Sequence, residues 1–341
     1  MKCVQIAGPK RLEVTNIKPP VEHDGYVICE LKKTGICGSD LHYFVSGEPK
    51  GLVMGHEICA TVINPGSRKD LKKGDRITAL PISPCGKCPQ CKNNEPEVCP
   101  HTWDLGLGLS LNTPGGYAEL TSIRPDMVIK VPNNLTDAEV ALVEPTAVSL
   151  RAVHRAGIEI GDHVLIIGGG IIGQIAGMFA KKAGATYVAI SEANPGRGKK
   201  AVRLGSADEY FDALDPAWAV NVNKNNPYGY DKVIDCCGNS ATLSSALVAC
   251  KPQGTVVLVG ISMEPVSIPD IVLAMHEINV KGAAAYTVEE FKQVIQMMAE
   301  KKIDMLKYID DIVPLDGVQK ACERLTSGTD DAIKILIDPS K

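Results

Sequence analysis

Three groups of residues in this 341-residue chain have types and spacings that can do chemistry. The first is Cys85, Cys88, Cys91 and Cys99, in the pattern C-x2-C-x2-C-x7-C. Two-residue spacers let thiolates converge on one tetrahedral ion at about 2.3 Å. Four sulfurs leave no open coordination position, so the pattern points to a structural zinc. The competing readings are a disulfide pair or four unrelated thiols. Four cysteines within fifteen residues, set among Lys, Asn, Glu and Pro, do not look like core packing. A nucleic-acid-binding zinc module would carry basic and aromatic neighbours, whereas Lys87 and Lys92 are offset here by Glu95 and Glu97.

The second group is Gly168-Gly169-Gly170-Ile171-Ile172-Gly173, which fits G-x-G-x-x-G. It follows the apolar run His163–Ile167 and opens an amphipathic stretch, the context a dinucleotide site requires. Gly168 would allow the tight turn, Gly170 the approach of a pyrophosphate, and Gly173 close helix–strand packing, with Ile172 in the helix's first turn. The phosphates would sit on the positive end of the helix. Glu192 lies 19 residues after Gly173 and could accept hydrogen bonds from the ribose hydroxyls. A carboxylate there repels a 2′-phosphate, so NAD is favoured over NADP. Arg197 could lie over the adenine, and it leaves a minor route for a phosphate. The competing reading is a glycine-rich turn in some other α/β protein.

The third group is dispersed. Cys37 lies in GICGSDLH, His56 and Glu57 follow Gly55, and Glu144 precedes Pro145. None is specific alone, since a lone Cys is most often packing and a lone His-Glu pair most often surface. Together they offer one thiolate, one imidazole and one or two carboxylates, which suits a catalytic zinc with an exchangeable position.

These residues need elements to hold them. Residues 1–130 read as short strands between turns, such as Lys2–Ile6, Tyr26–Leu31, Ile58–Asn64 and Arg76–Leu80, and suggest a β-rich barrel or sandwich. Helical pattern then runs from Thr136–Leu142 through Ser149–Ala156. Beyond it, strands His163–Ile167, Tyr187–Ser191, Lys232–Asp235 and Thr255–Val259 alternate with helical stretches such as Ile172–Ala183. That alternation indicates an α/β, doubly wound parallel sheet. The tail reads as a strand at NVKGAA, helices near Glu289–Lys301 and Leu315–Leu325, and a last strand, Ala332–Ile337.

Composition narrows the function classes. Length suggests about two domains at roughly 150 residues each. A net charge of −4 without dense charge runs argues against nucleic acid and a polybasic membrane anchor. Aromatic residues are only 4 % of the chain, so a pocket walled by many rings is not expected. No apolar run approaches the roughly 18–20 residues of a membrane span, and the alternating start does not fit a signal peptide. A cytoplasmic address is the default expectation. Thiols stay reduced there, which favours metal over disulfides for the twelve cysteines. Cys3, Cys29, Cys59, Cys236, Cys237, Cys250 and Cys322 then remain as buried small hydrophobes.

With these motifs in place, the chain resembles the zinc-dependent medium-chain dehydrogenases of the alcohol dehydrogenase superfamily, nearest to the sorbitol/polyol branch. The resemblance rests on GICGSDLH, Gly55-His56-Glu57, the four-cysteine lobe, the glycine fingerprint and the closing KILIDP. It implies a GroES-like catalytic domain over 1–147 with its zinc lobe at 85–99. A Rossmann NAD domain over 148–285 and a C-terminal return to the catalytic domain over 286–341 follow. It also implies two zinc ions per chain. Cys37 and His56 would ligate the catalytic one, Glu57 would be a ligand or exchanging ligand, and Glu144 would bind directly or through water. Asp40 would accept a hydrogen bond from His56. Ser39 would take the substrate's hydroxyl proton and His42 would pass it towards solvent. The bland readings are that Asp40 caps a turn and that His42 is a surface residue.

The implied reaction is oxidation of a secondary hydroxyl of a small polyol, sugar alcohol or diol, reversible as ketone reduction, in a homodimer or homotetramer. The short link between His42 and His56 resembles the polyol enzymes. Thr102–Thr113 and Ala283–Tyr286 differ from the usual polyol pattern. A threonine- or butanediol-type enzyme, or one for an anionic phosphate, carboxylate or sulfonate compound, stays open. So does a non-catalytic dinucleotide-binding scaffold, although a scaffold needs none of Cys37, Ser39, His42, His56, Glu57 or Glu144.

Overall fold

The computed structural model describes residues 1–341 apart from 225, 263 and 269. They group into two units, Met1–Pro145 with Thr287–Lys341, and Thr146–Tyr286.

The first unit is built on a seven-stranded sheet. Its order is Asp311–Pro314, Ile335–Asp338, Val27–Gly35, Glu57–Asn64, Arg76–Ala79 and Val128–Lys130, with Leu120–Ile123 also paired to Val27–Gly35. The Val27–Gly35 strand shows why it forms. Val27, Cys29 and Leu31 alternate inward, as the two-residue period of a strand demands, and meet Ile58, Ala60 and Val62 of the neighbouring strand. A separate antiparallel pair joins Lys2–Gly8 to Arg11–Asn16.

The C-terminal segment completes this unit. Leu315, Val318, Cys322, Ile335 and Ile337 share one buried cluster with Val4, Ile6, Phe44, Leu52, Met54 and Tyr117. Sequence pattern did not single out the helix Gly38–Ser46. It is short, and only Asp40 and Phe44 of its nine residues are buried. Gly47 ends it with φ 74°, and its N–H bonds the Tyr43 carbonyl, a left-handed cap that suits glycine.

The second unit is a six-stranded parallel sheet. Its order is Glu209–Asp212, Tyr187–Glu192, His163–Ile167, Tyr230–Asp235, Cys250–Leu258 and Asn279–Gly282. The HVLII run is apolar throughout because helices cover both faces of such a sheet. In chain order the first strand lies beside the fourth. The connections therefore reverse direction between His163–Ile167 and Tyr230–Asp235, the switch point where open α/β sheets bind ligands. The helix Pro195–Arg203 (PGRGKKAVR) carries too little apolar periodicity to be read from sequence. It forms under a cap: the Asn194 side chain accepts from the Gly196 and Arg197 N–H groups at 2.9 and 3.2 Å, and Pro195 takes the first position.

All twelve cysteines are free thiols. Cys3, Cys29, Cys59, Cys250 and Cys322 are buried, as expected, and burial pushes the Cys29 thiol up to about 12. Cys237 is a correction, because it is exposed. Its chain has just left the strand Tyr230–Asp235 and runs past Gly168, where an added Cβ would stand 2.7 Å from the Cys237 sulfur. Among the described residues no helix is long and apolar enough to cross a membrane.

Phe44 tests the closure of the first unit by its C-terminal segment. Phe44→Ala should lower unfolding stability by about 3–5 kcal/mol through the cavity it leaves. Denaturant titration checks this, and a loss below about 1 kcal/mol would contradict the shared core.

Candidate functional site

The four-cysteine lobe is compact. The sulfurs of Cys85, Cys88, Cys91 and Cys99 all lie within 4.8 Å of one another. Tetrahedral thiolates at about 2.3 Å from one ion stand roughly 3.8 Å apart, so the set fits zinc with little movement. Backbone N–H groups already turn towards the sulfurs. Cys88 N donates to Cys85 Sγ, Cys91 N to Cys88 Sγ, and both Cys85 N and His101 N to Cys99 Sγ, each at 3.4 Å. Such donors favour the thiolate, and the N–H groups of Lys87 and Cys88 lower the Cys85 thiol to about 6.

The dispersed group lies in the same unit. Cys37 ends the stretch after the strand Val27–Gly35 and caps the helix Gly38–Ser46. His56 immediately precedes the strand Glu57–Asn64 and is 4 % exposed. Glu144 lies in the first turn of the helix Val143–Ala156 and is buried. Burial alone would push the His56 ring towards its neutral form. The charge of Cys37, then Asp40, a hydrogen bond with Cys37 and the charge of Glu144 outweigh it and hold the His56 pKa well above the usual histidine value. A buried imidazole thus feels the charges of a half-buried thiol and two buried carboxyls, a donor set that fits a cation of the zinc type.

Asp40 does more than one job. It is fully buried, and its Oδ2 accepts from Cys37 N at 3.0 Å and from the Tyr117 hydroxyl at 2.9 Å. It therefore caps the helix, as the bland reading held. Its Oδ1 lies 3.7 Å from His56 Nδ1, beyond hydrogen-bond length, and both atoms are buried without a hydrogen-bond partner. Tyr117 was missed from sequence. The signal was its place after Gly115-Gly116, where a Cβ on Gly116 would stand 2.3 Å from Thr34 Oγ1.

Glu57, expected as a ligand or an exchanging ligand, has a partner within the protein. Both its oxygens accept from the ammonium of Lys334, at 2.8 and 2.6 Å, and both residues are buried. Lys334 was also missed, although a lysine set in the apolar run AIKILI is itself a signal, since buried lysines are paired. Ser39 and His42 lie three residues apart on the helix Gly38–Ser46, and therefore on one face. His42 is exposed and Ser39 partly so.

In the second unit the glycine turn connects the strand His163–Ile167 to the helix Ile171–Ala183. Gly168 takes φ +100°, a conformation suited to glycine. A Cβ on Gly173 would stand 1.9 Å from the Gly168 carbonyl oxygen, so the helix packs too closely for any side chain. Nothing lies within 4 Å of where a Cβ of Gly170 would be. That leaves an open cradle at the helix N-terminus, which fits a pyrophosphate. Glu192 ends the adjacent strand, where its two oxygens accept from Gly169 N at 2.5 Å and Asn194 N at 2.7 Å. Ile172 is partly buried in the helix's first turn, and Arg197 lies in the first turn of the helix Pro195–Arg203.

Two family models match the chain. The alcohol dehydrogenase GroES-like domain covers residues 23–133, and the zinc-binding dehydrogenase model covers residues 172–300. The chain is 30 % identical to L-galactonate-5-dehydrogenase of Escherichia coli strain K12, over 96 % of each protein. It is 28 % identical to a sorbitol dehydrogenase of Bacillus subtilis strain 168, over 100 % of this chain and 98 % of that one. Among solved structures, one from Sinorhizobium meliloti 1021, described as a zinc-binding dehydrogenase bound to NADP, superposes with a TM-score of 0.88. It is 28 % identical and covers 99 % of each chain.

Cys91→Ser should remove one zinc per chain and lower the thermal midpoint, because a structural zinc contributes folding energy directly. Elemental analysis with calorimetry checks both. Full metal content with an unchanged midpoint would argue against a zinc in this lobe.

Proposed function

The chain belongs to the zinc-dependent medium-chain dehydrogenases, in their sorbitol/polyol branch, and from that premise we propose that it oxidises a secondary hydroxyl of a small polyol, sugar alcohol or diol with NAD as acceptor. The reaction is reversible as ketone reduction. The observation that carries this reading is the half-buried Cys37 thiol together with the buried carboxyls of Asp40 and Glu144, whose charges act on the buried His56 ring. A scaffold that only bound dinucleotide would have no reason to bury them.

Cys37 and His56 would hold the catalytic zinc, with Glu57 as a ligand or exchanging ligand and Glu144 binding directly or through water. Zinc there supplies Lewis acidity to the substrate oxygen, and NAD supplies the hydride acceptor. The protein's own part is positioning and proton handling. Asp40 faces His56 Nδ1 and orients the ring, while Tyr117 and the Cys37 N–H fix Asp40. Ser39 Oγ takes the hydroxyl proton of the substrate. His42, one turn further along the same helix face and exposed, passes it towards solvent.

Gly168, Gly170, Ile172 and Gly173 would hold the pyrophosphate turn of the coenzyme, with Arg197 towards the adenine. Glu192 favours NAD, because a carboxylate at the end of that strand repels a 2′-phosphate. The NADP-bound relative makes this a point to test rather than to assume. A second reading keeps the same machinery but gives the substrate a carboxylate, and the likeness to L-galactonate-5-dehydrogenase favours it. The assembly we expect is a homodimer or homotetramer in which the coenzyme-domain sheets meet. NAD reduction measured over polyols, diols, hydroxy acids and their phosphates separates these substrates. No turnover with any hydroxyl compound, in protein holding two zincs, would sink the dehydrogenase reading.

Cys37→Ser should lower kcat by more than the roughly 100-fold typical of losing an outer partner of a metal ligand. NAD binding, followed by fluorescence titration, should stay nearly intact, and retained turnover would remove Cys37 from the zinc. Glu192→Ala should weaken NAD more than NADP. It loosens the Gly169 turn for both coenzymes, but it removes a ribose acceptor for one and a repulsion for the other. Equal losses in the two Kd values would defeat the NAD argument.

A further inference from the structure

Gln174 is the fourth residue of the helix Ile171–Ala183, just past the glycine turn, and it has no exposed surface. Its side-chain Nε2 donates to two carbonyls, Gly169 O at 2.9 Å and Arg197 O at 3.3 Å. A carbonyl only accepts, so the amide nitrogen has to face both. The amide oxygen is then turned away from them. Among the described residues, Gln174 Oε1 is buried without a hydrogen-bond partner. A buried acceptor left unpaired costs stability, and methionine, of similar length, would avoid that cost. What glutamine adds at this position is the pair of donors.

The two carbonyls belong to different parts of the coenzyme site. Gly169 lies in the turn that would hold the pyrophosphate. Arg197 lies in the first turn of the helix Pro195–Arg203, set towards the adenine. Glu192 ties the same two segments through their N–H groups, accepting from Gly169 N at 2.5 Å and Asn194 N at 2.7 Å. Glu192 would also serve the ribose, so its hold on the turn is shared with the ligand. Gln174 has no exposed surface, so its two bonds do not compete with water. The helix needs such a hold, because Gly196 and Gly198, both within its first four residues, are poor helix formers.

We propose that Gln174 is a positioning residue for the coenzyme. Its amide splints the pyrophosphate turn to the helix on the adenosine side, and sets the distance between these two subsites before a dinucleotide arrives. The proposal deepens the coenzyme reading of the glycine turn and rests on it. Gln174 acts through Gly169 and Arg197 and touches no reacting atom.

Calorimetric titration of the full-length, zinc-loaded protein with ADP and with adenosine tests this. ADP would span both subsites, whereas adenosine would reach only one. Gln174→Met removes both donors at similar side-chain length. It should raise the Kd of ADP roughly tenfold and that of adenosine less than about twofold, because only the spanning ligand then has to order two segments against each other. NAD, followed by fluorescence, should weaken in parallel with ADP. A structural role alone would lower the thermal midpoint and leave the ratio of the two constants unchanged.

An unchanged ADP constant, or equal losses for ADP and adenosine, overturns the proposal. Hydrogen exchange of the unliganded wild-type protein supplies a measurement that needs no variant. The Gly169 and Arg197 amides should open together, with protection equal within about tenfold. A larger difference overturns the splint even if Gln174→Met does not fold. Wild-type protein that binds neither ADP nor NAD overturns the coenzyme reading itself, which separates that failure from the others.

Discussion

The ammonium of Lys334, enclosed by the Glu57 carboxylate and the Ile36 carbonyl, joins the start of the last strand to the two segments that carry Cys37 and His56. A charge with no exposed surface is tolerated only when it is fully paired, so this contact constrains everything around it. It fixes where the C-terminal residues return and requires glycine at position 35. The nearby apolar cluster, built from both ends of the first unit, provides the dry surroundings in which such pairing is strong.

The remaining polar groups here are less settled than that pair. Asp40 Oδ1 and His56 Nδ1 are buried without hydrogen-bond partners, 3.7 Å apart. Burial raises the Asp40 pKa, working against the nearby His56 charge and the Cys37 and Tyr117 hydrogen bonds. Buried polar atoms without partners are uncommon in folded proteins and usually point to a missing ion, a water or a function. The thiol of Cys37 and the carboxyl of Glu144 beside the same ring make an ion the reading that accounts for most of them. The lobe of Cys85, Cys88, Cys91 and Cys99 solves its own problem locally, with the sulfurs of Cys85, Cys88 and Cys99 accepting backbone N–H groups and all four sulfurs near one another.

The second unit depends on a different constraint, the tight approach of helix and strand at the glycine turn. Gly173 leaves no space and Gly170 leaves open space, three residues apart on one helix end. Glu192 ties the turn from the adjacent strand by accepting the Gly169 N–H. The acid that ranks coenzymes therefore also shapes the loop that would bind their phosphates.

Much of this could be read in the chain itself, and the reason is range. The four cysteines lie within fifteen residues, and the glycines lie between an apolar strand and an apolar helix, so spacing alone encodes their geometry. The alternation of strands and helices likewise announced the parallel sheet. Cys37, His56 and Glu144 span more than a hundred residues, and only a resemblance could associate them before the fold did. The role of Glu57 lay beyond both. Its partner stands 277 residues away, and nothing in the residues beside Glu57 says whether its carboxylate will meet a metal or a lysine. Tyr117 and the exposed Cys237 were missed for the same cause. Sequence determined which donors exist and which local frames they occupy. Tertiary structure decided how buried charges pair, because in a low-dielectric interior every charge must find a partner, and that partner is chosen by packing rather than by spacing.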